Sequence, residues 1–167
     1  EITKEILNNY TKRKEYIETV AWAIPSKEAI SAICNFVGKE TILEVGAGLG
    51  YWASLLQKEQ VSIIATDNKE RNWKHNSNIP YTEVLRLNYR MALKNFPDAN
   101  VLFLCWPPYN TPLAKESLRL FTGGKVIYIG EDQSGCNADD DFFDIINKFW
   151  KQVKRIHIPQ WEGLRDN

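Results

Sequence analysis

The chain has 167 residues, 44% of them hydrophobic and 25% charged. At about 150 residues per domain this predicts one globular unit with a sizeable core, and it excludes a wholly disordered chain, a collagen-like fibre and a coiled-coil rod. Lys and Arg together number 21, as do Asp and Glu, so the formal net charge is zero and no whole-molecule field draws the protein onto nucleic acid or an anionic membrane.

No apolar run reaches the roughly 20 residues of a membrane span, and Glu1-Ile2-Thr3-Lys4-Glu5 lacks the basic-then-apolar order of a signal peptide. Cys34, Cys105 and Cys136 form an odd set without Cys-x-x-Cys spacing, and His75 and His157 lack metal-ligand spacing. A soluble, cytoplasmic protein without membrane partner, disulfide framework or metal is the expectation. The chain opens on Glu1 rather than Met, so a longer parent is expected as well.

Residues 1–21 are charged and helix-prone, with Ile6, Tyr10, Ile17 and Val20 making a broken apolar stripe. Ser26 is placed to cap a second helix, in which Ala29, Ile30, Ile33, Cys34 and Val37 recur at helical spacing before Gly38 stops it. From Thr41 apolar strands alternate with helical stretches. The strand candidates are Ile42–Val45, Val61–Ala65, Val84–Leu87, Val101–Cys105, Val126–Ile129 and Val153–Ile158, with five helical stretches between them. Such interleaving predicts an α/β fold, a doubly wound, mostly parallel sheet with helices on both faces, in one domain over 1–167 with 1–40 as a helical flank.

The most informative stretch is Leu43-Glu44-Val45-Gly46-Ala47-Gly48-Leu49-Gly50-Tyr51-Trp52, a buried strand running through three alternate glycines into a helix. In a doubly wound sheet ligands bind beyond the carboxyl ends of the strands, and glycines there let the backbone turn sharply beside them. A dinucleotide loop needs a third small residue where Tyr51 stands, and a Walker phosphate loop needs a Gly-Lys-Ser/Thr that the chain lacks.

Glu44 through Gly50 resembles the first motif of the class I S-adenosylmethionine-dependent methyltransferases, an acidic residue followed by Gly-x-Gly-x-Gly. Thr66-Asp67 at the second strand's tip is similar to that family's ribose-binding acid; its other reading is a helix cap. Leu85-Arg86-Leu87-Asn88 looks like the third-strand motif whose Asp or Asn carbonyl receives the adenine amino group, with a turn-forming Asn as the alternative. Gly123-Gly124 resembles the turn before the fifth strand. The resemblance covers Thr41 to about Ile158. It implies S-adenosylmethionine as cofactor, held by Glu44, Gly46, Ala47, Gly48, Gly50, Tyr51, Asp67, Asn68, Asn88 and Cys105.

After the fourth strand comes Trp106-Pro107-Pro108-Tyr109. It resembles the Asp/Asn/Ser-Pro-Pro-aromatic motif of methyltransferases that modify exocyclic amines or amide nitrogens. There the first residue and the first proline's carbonyl accept hydrogen bonds from the target nitrogen, and the aromatic packs on the substrate. Trp106 can donate a hydrogen bond but not accept one, so half of that clamp is missing. The whole pattern, with Trp22-Ala23-Ile24-Pro25 and Gly135-Cys136, is similar to methyltransferase-like proteins of unassigned substrate.

On this reading Trp106, Pro107, Tyr109 and Glu131 are the candidate catalytic residues. Glu131 is either a general base at the fifth strand's end or a loop charge, and Trp22 is either a lid residue or core. The expected activity is methyl transfer to an unidentified acceptor, a small molecule or a protein. The alternatives are a non-catalytic binding module on the same fold and a nucleic-acid amino-methyltransferase with an altered motif. Lys148, Lys151, Lys154 and Arg155 are the basic residues that would favour the last. The family usually ends with a sixth strand and an antiparallel seventh; Gln160 to Asn167 is too short and polar to be the latter, and the sequence does not give the oligomeric state.

Overall fold

The structure, a computed structural model, describes residues 2–68 and 79–161. Helices α1 (Ile2–Thr19) and α2 (Lys27–Val37) precede β1 (Ile42–Val45), α3 (Tyr51–Lys58), β2 (Ile63–Asp67) and β3 (Val84–Arg86). There follow α4 (Tyr89–Asn95), β4 (Val101–Cys105), α5 (Leu113–Leu120), β5 (Lys125–Ile129) and α6 (Asp140–Phe149). All neighbouring strands pair in parallel, in the order β3-β2-β1-β4-β5. This is the Rossmann-like α/β architecture anticipated above.

Alternation along the strands explains the layering. Ile42 of β1 and Val101 and Phe103 of β4 face α2 and α3, where they meet Ile33, Val37, Trp52 and Leu56. Leu43, Val45, Leu102 and Leu104 face the other way, onto Ala92 of α4, Leu118 of α5 and Phe142 of α6. Strands covered on both sides need apolar residues at nearly every position, which is why β4 reads as an unbroken hydrophobic run and β1 departs from one only at Glu44.

Local signals set the helix ends. The Ser26 side chain accepts from the Ala29 amide at 3.0 Å, and Gly38, at φ 62°, closes α2 by donating to the Cys34 carbonyl. Asp139 caps α6 through a 2.9 Å bond from the Phe142 amide. The helix expected between β2 and β3 falls on residues 69–78, outside the described ones, as does Trp73.

One expected strand is absent. Residues 151–161 have no regular secondary structure. Ile158 is buried and Ile156 packs on the core, while Val153, Lys154, Arg155 and His157 are exposed, so only the end of the Val153–Ile158 candidate is anchored. No neighbouring strand completes a backbone ladder with it among the described residues, and apolar anchoring alone does not make a strand. The basic cluster is not simply a solvated stripe either, since Arg155 pairs with Asp132.

Gly50, the residue before α3, has φ 72°, and a Cβ there would lie 2.9 Å from both Thr82 Cγ2 and Val84 Cγ2. Gly50→Ala is therefore expected to cost about 2 kcal/mol, from left-handed strain and overpacking together, read as a lower urea midpoint.

Candidate functional site

The carboxyl ends of β1, β2 and β4 open onto a cleft of about 580 Å³. Its floor is built by the glycine turn. Gly46, Gly48 and Gly50 all have left-handed backbones, with φ of 80°, 57° and 72°. The amides of Gly46 and Ala47 both donate to the Thr66 carbonyl at 2.9 Å, and the Gly48 amide donates to Asp67 Oδ2 at 2.9 Å. The end of β2 thus fixes the loop that leaves β1.

Glu44, Gly46, Ala47, Gly48 and Tyr51 line this cleft together with Asp67, Asn68, Asn88, Cys105 and Trp106. Gly50 lies behind the turn and shapes it from there. Asn88 does double duty, because its Oδ1 accepts from the Met91 amide at 3.0 Å as the cap of α4. This bond fits the turn-forming reading of Asn88, and the second lone pair of the same oxygen leaves the adenine-facing reading open.

Glu44 is the unusual group. It sits in register between Ala65 of β2 and Phe103 of β4, is buried, and its Oε2 has no hydrogen-bond partner. Burial and, secondarily, the neighbouring Asp67 carboxylate push its pKa up from 4.5 to about 8.

The Trp-Pro-Pro-Tyr segment forms the opposite wall. Trp106 has φ 50°, a left-handed backbone that is uncommon for a bulky residue, and its amide donates to the Ile129 carbonyl at 2.7 Å. Its indole stacks on that of Trp22, with centroids 5.0 Å apart and planes at 17°. Trp22 lines the cleft too, so it belongs to both the core and the site.

Pro107 and Glu131 differ from expectation. The Pro107 carbonyl accepts the Ala138 amide at 3.1 Å, in a short antiparallel contact that also pairs Pro108 with Asn137. The buried Glu131 carboxylate accepts from the Cys136 amide at 2.7 Å, and the Glu131 amide donates to Asn137 Oδ1 at 2.8 Å. Neither residue lines the cleft. Glu131 is a brace for the loop that holds the motif, not a base facing a substrate. Tyr109 is 64% exposed and stands outside the cleft lining, at the rim.

Sequence reasoning missed Leu87, Tyr89, Arg90 and Leu113, all of which line the cleft. The signal for Tyr89 and Arg90 was Asn88 itself: a cap at a strand's carboxyl end places the first helical turn beside the ligand crevice. Tyr16 of α1 lies outside the cleft lining, against Trp161. Burial and the nearby Tyr51, Cys105 and Tyr81 push its phenol up to about 12. No helix among the described residues is long and apolar enough to cross a membrane, and no cluster of three or more His, Cys, Asp or Glu able to hold a metal occurs among them.

No family model matches the chain. It is 31% identical over 99 residues to the "Ribosomal RNA small subunit methyltransferase A" of Wigglesworthia glossinidia brevipalpis, an alignment that takes in 52% of this chain and 38% of that protein. The chain thus spans well under half the length of the curated relative it matches. The likeness is thus to a methyltransferase, the kind of protein whose first motif the glycine turn resembles.

Two outcomes follow for stability. In Glu131→Ala the Cys136 amide loses its acceptor, and a loss of about 1–2 kcal/mol in urea denaturation is expected. For Glu44, the folded state holds a proton that the unfolded chain releases near 4.5, so its contribution is full below that pH and declines as pH rises towards about 8. The unfolding free energy from urea denaturation should fall across this window by up to about 1.4 kcal/mol per pH unit, and Glu44→Gln should flatten the slope.

Proposed function

We propose that the chain binds S-adenosylmethionine in the cleft above the glycine turn and transfers its methyl group to an acceptor presented at the Trp106–Tyr109 wall. The observation that carries this reading is the joint geometry of Gly46–Gly50 and Asp67. A backbone turn with glycine at every second position faces a cleft of nucleoside size, with a carboxylate one strand over.

In this reading the cofactor supplies a methyl group on a positively charged sulfur, a good leaving group. The protein's work is orientation and exclusion of water more than acid–base chemistry. Asp67, held by the Gly48 amide through one oxygen, offers carboxylate lone pairs to ribose hydroxyls. Gly46, Ala47 and Gly48 let the backbone approach the amino-acid end, while Asn68, Asn88 and Cys105 border the base. Trp22 and Trp106 shut one end of the cleft against solvent.

The acceptor side departs from the amine-methylating pattern. Trp106 offers no acceptor, and the Pro107 carbonyl is already bonded to Ala138. Recognition then rests on aromatic faces, with the exposed Tyr109 ring as the contact, and a small molecule or protein group is the favoured acceptor. A second reading, RNA as acceptor, is favoured by the ribosomal RNA in the relative's name and by Arg90 beside the Tyr89 ring at the cleft.

Calorimetric titration with S-adenosylmethionine is the test. Saturable binding is expected, and Asp67→Ala should weaken it about tenfold or more, the worth of a charge-assisted hydrogen-bond pair. A chain that keeps its melting temperature yet shows no heat with the cofactor would instead be a non-catalytic module. Transfer of labelled methyl onto fractionated metabolites, protein and RNA would then separate the acceptors.

A further inference from the structure

Among the described residues, Glu44 is the buried ionisable group that the site description leaves without work. Strand alternation places it on the face of Ile42, in a row that is otherwise core, yet it also lines the cleft. Its Oε2 is enclosed and unpartnered. A charge in that position is costly unless something pairs with it.

The groups sharing the cleft do not supply a full counter-charge. Asp67 from β2 is of like sign. Cys105 from β4, Tyr51 from α3 and Tyr89 from α4 are neutral in their ordinary states. Arg90 from α4 is a cation, but it lies 3.6 Å from Glu116 of α5 and 5.2 Å from the Tyr89 ring centroid, contacts that draw it to the rim. Among the described residues the cleft therefore has two carboxylates and one cation that is already shared. A ligand with net positive charge would complete this set, and a neutral ligand would not.

We propose that Glu44 exchanges its proton for a ligand's positive charge, so that the cleft discriminates a sulfonium cofactor from the thioether product it becomes. This rests on the cofactor reading above and adds to it a selectivity for charge. When the cation arrives, the Glu44 O–H bond breaks, the proton goes to solvent and the carboxylate remains to face the ligand. When the methyl group leaves, the sulfur loses its positive charge, and a proton from solvent returns to Glu44. No oxidant or further reactant enters. The elevated protonation range of Glu44 makes the exchange occur near neutrality, where an ordinary carboxyl would already be ionised.

The experiment is calorimetry of the full chain with S-adenosylmethionine and with S-adenosylhomocysteine, in buffers of different ionisation enthalpy. Near neutral pH the sulfonium ligand is expected to release close to one proton, and the thioether ligand clearly fewer. Between about pH 6 and about pH 8 the affinity for the sulfonium ligand should rise by up to about tenfold per pH unit more than that for the thioether. The ligands' own ammonium groups titrate alike in wild type and Glu44→Gln, so the difference between the two proteins isolates Glu44. The variant should match wild type at the acid end of the range and lose the linkage above it.

Equal proton counts for the two ligands, or a linkage that survives in Glu44→Gln, would overturn the proposal while leaving the cofactor reading intact. Absence of heat with either ligand at every pH would overturn the cofactor reading, and with it this role. A carbon-13 titration of the Glu44 carboxyl in the ligand-free chain gives an independent decision: titration in the ordinary carboxyl range sinks the proposal whatever the chain binds.

Discussion

The site depends on how the end of β2 holds the turn that leaves β1. Three amides of that turn, those of Gly46, Ala47 and Gly48, find acceptors on Thr66 and Asp67. Buried backbone donors must be paired, and here the pairing draws the turn towards the neighbouring strand, leaving the cleft open above it. Left-handed backbones at alternate positions make the geometry possible, and only glycine adopts them without steric cost. Thr66 adds a second tie, its hydroxyl donating to the Glu44 carbonyl at 2.8 Å. The same few residues therefore join the sheet and shape its binding edge.

The opposite wall is built by different means. Trp106 takes a left-handed backbone that its side chain disfavours, and such strain persists only where the surroundings over-determine it. They do so here: the Trp106 amide is held by Ile129, the Pro107 carbonyl by Ala138, and the Asn110 amide by the Ala138 carbonyl. Behind these, Glu131 and Asn137 tie the loop after β5 into a bracket, and the Tyr128 hydroxyl closes it on the Glu131 carbonyl at 2.7 Å. Groups that looked like reagents in the sequence are spent on holding the wall. What the wall presents is an aromatic surface, with one indole face already occupied by Trp22.

The fold was legible because its signals are local and repeated. β1 and β4 have the predicted bounds, and the Ser26, Gly38 and Asp139 ends of helices sit where capping chemistry put them. The grouping of Glu44, the glycines, Asp67 and Cys105 at one edge was legible too, since parallel topology brings the carboxyl ends of consecutive strands together. What the sequence hid were hydrogen bonds between segments far apart in the chain. Nothing near Pro107 announces that Ala138 will take its carbonyl, and nothing near Glu131 shows that its carboxylate will turn back onto Cys136. The missing sixth strand has the same origin: alternation reports which side chains are buried, whereas a strand requires a neighbour's backbone.

Charge finally separates the two ends of the cleft. At the glycine turn, Glu44 and Asp67 lie together, an arrangement that a core alone would not retain, because an apolar residue at 44 would continue the row of Ile42 at no electrostatic cost. At the Trp-Pro-Pro-Tyr wall there are aromatic rings and engaged carbonyls, and the candidate base has been withdrawn into a brace. A methyl carried on a sulfonium needs the first environment more than it needs a base, since the positive sulfur leaves readily once a nucleophile is held in line with it. The division of the cleft into an acidic floor and an aromatic wall is therefore consistent with chemistry in which the donor is recognised by charge and the acceptor by shape.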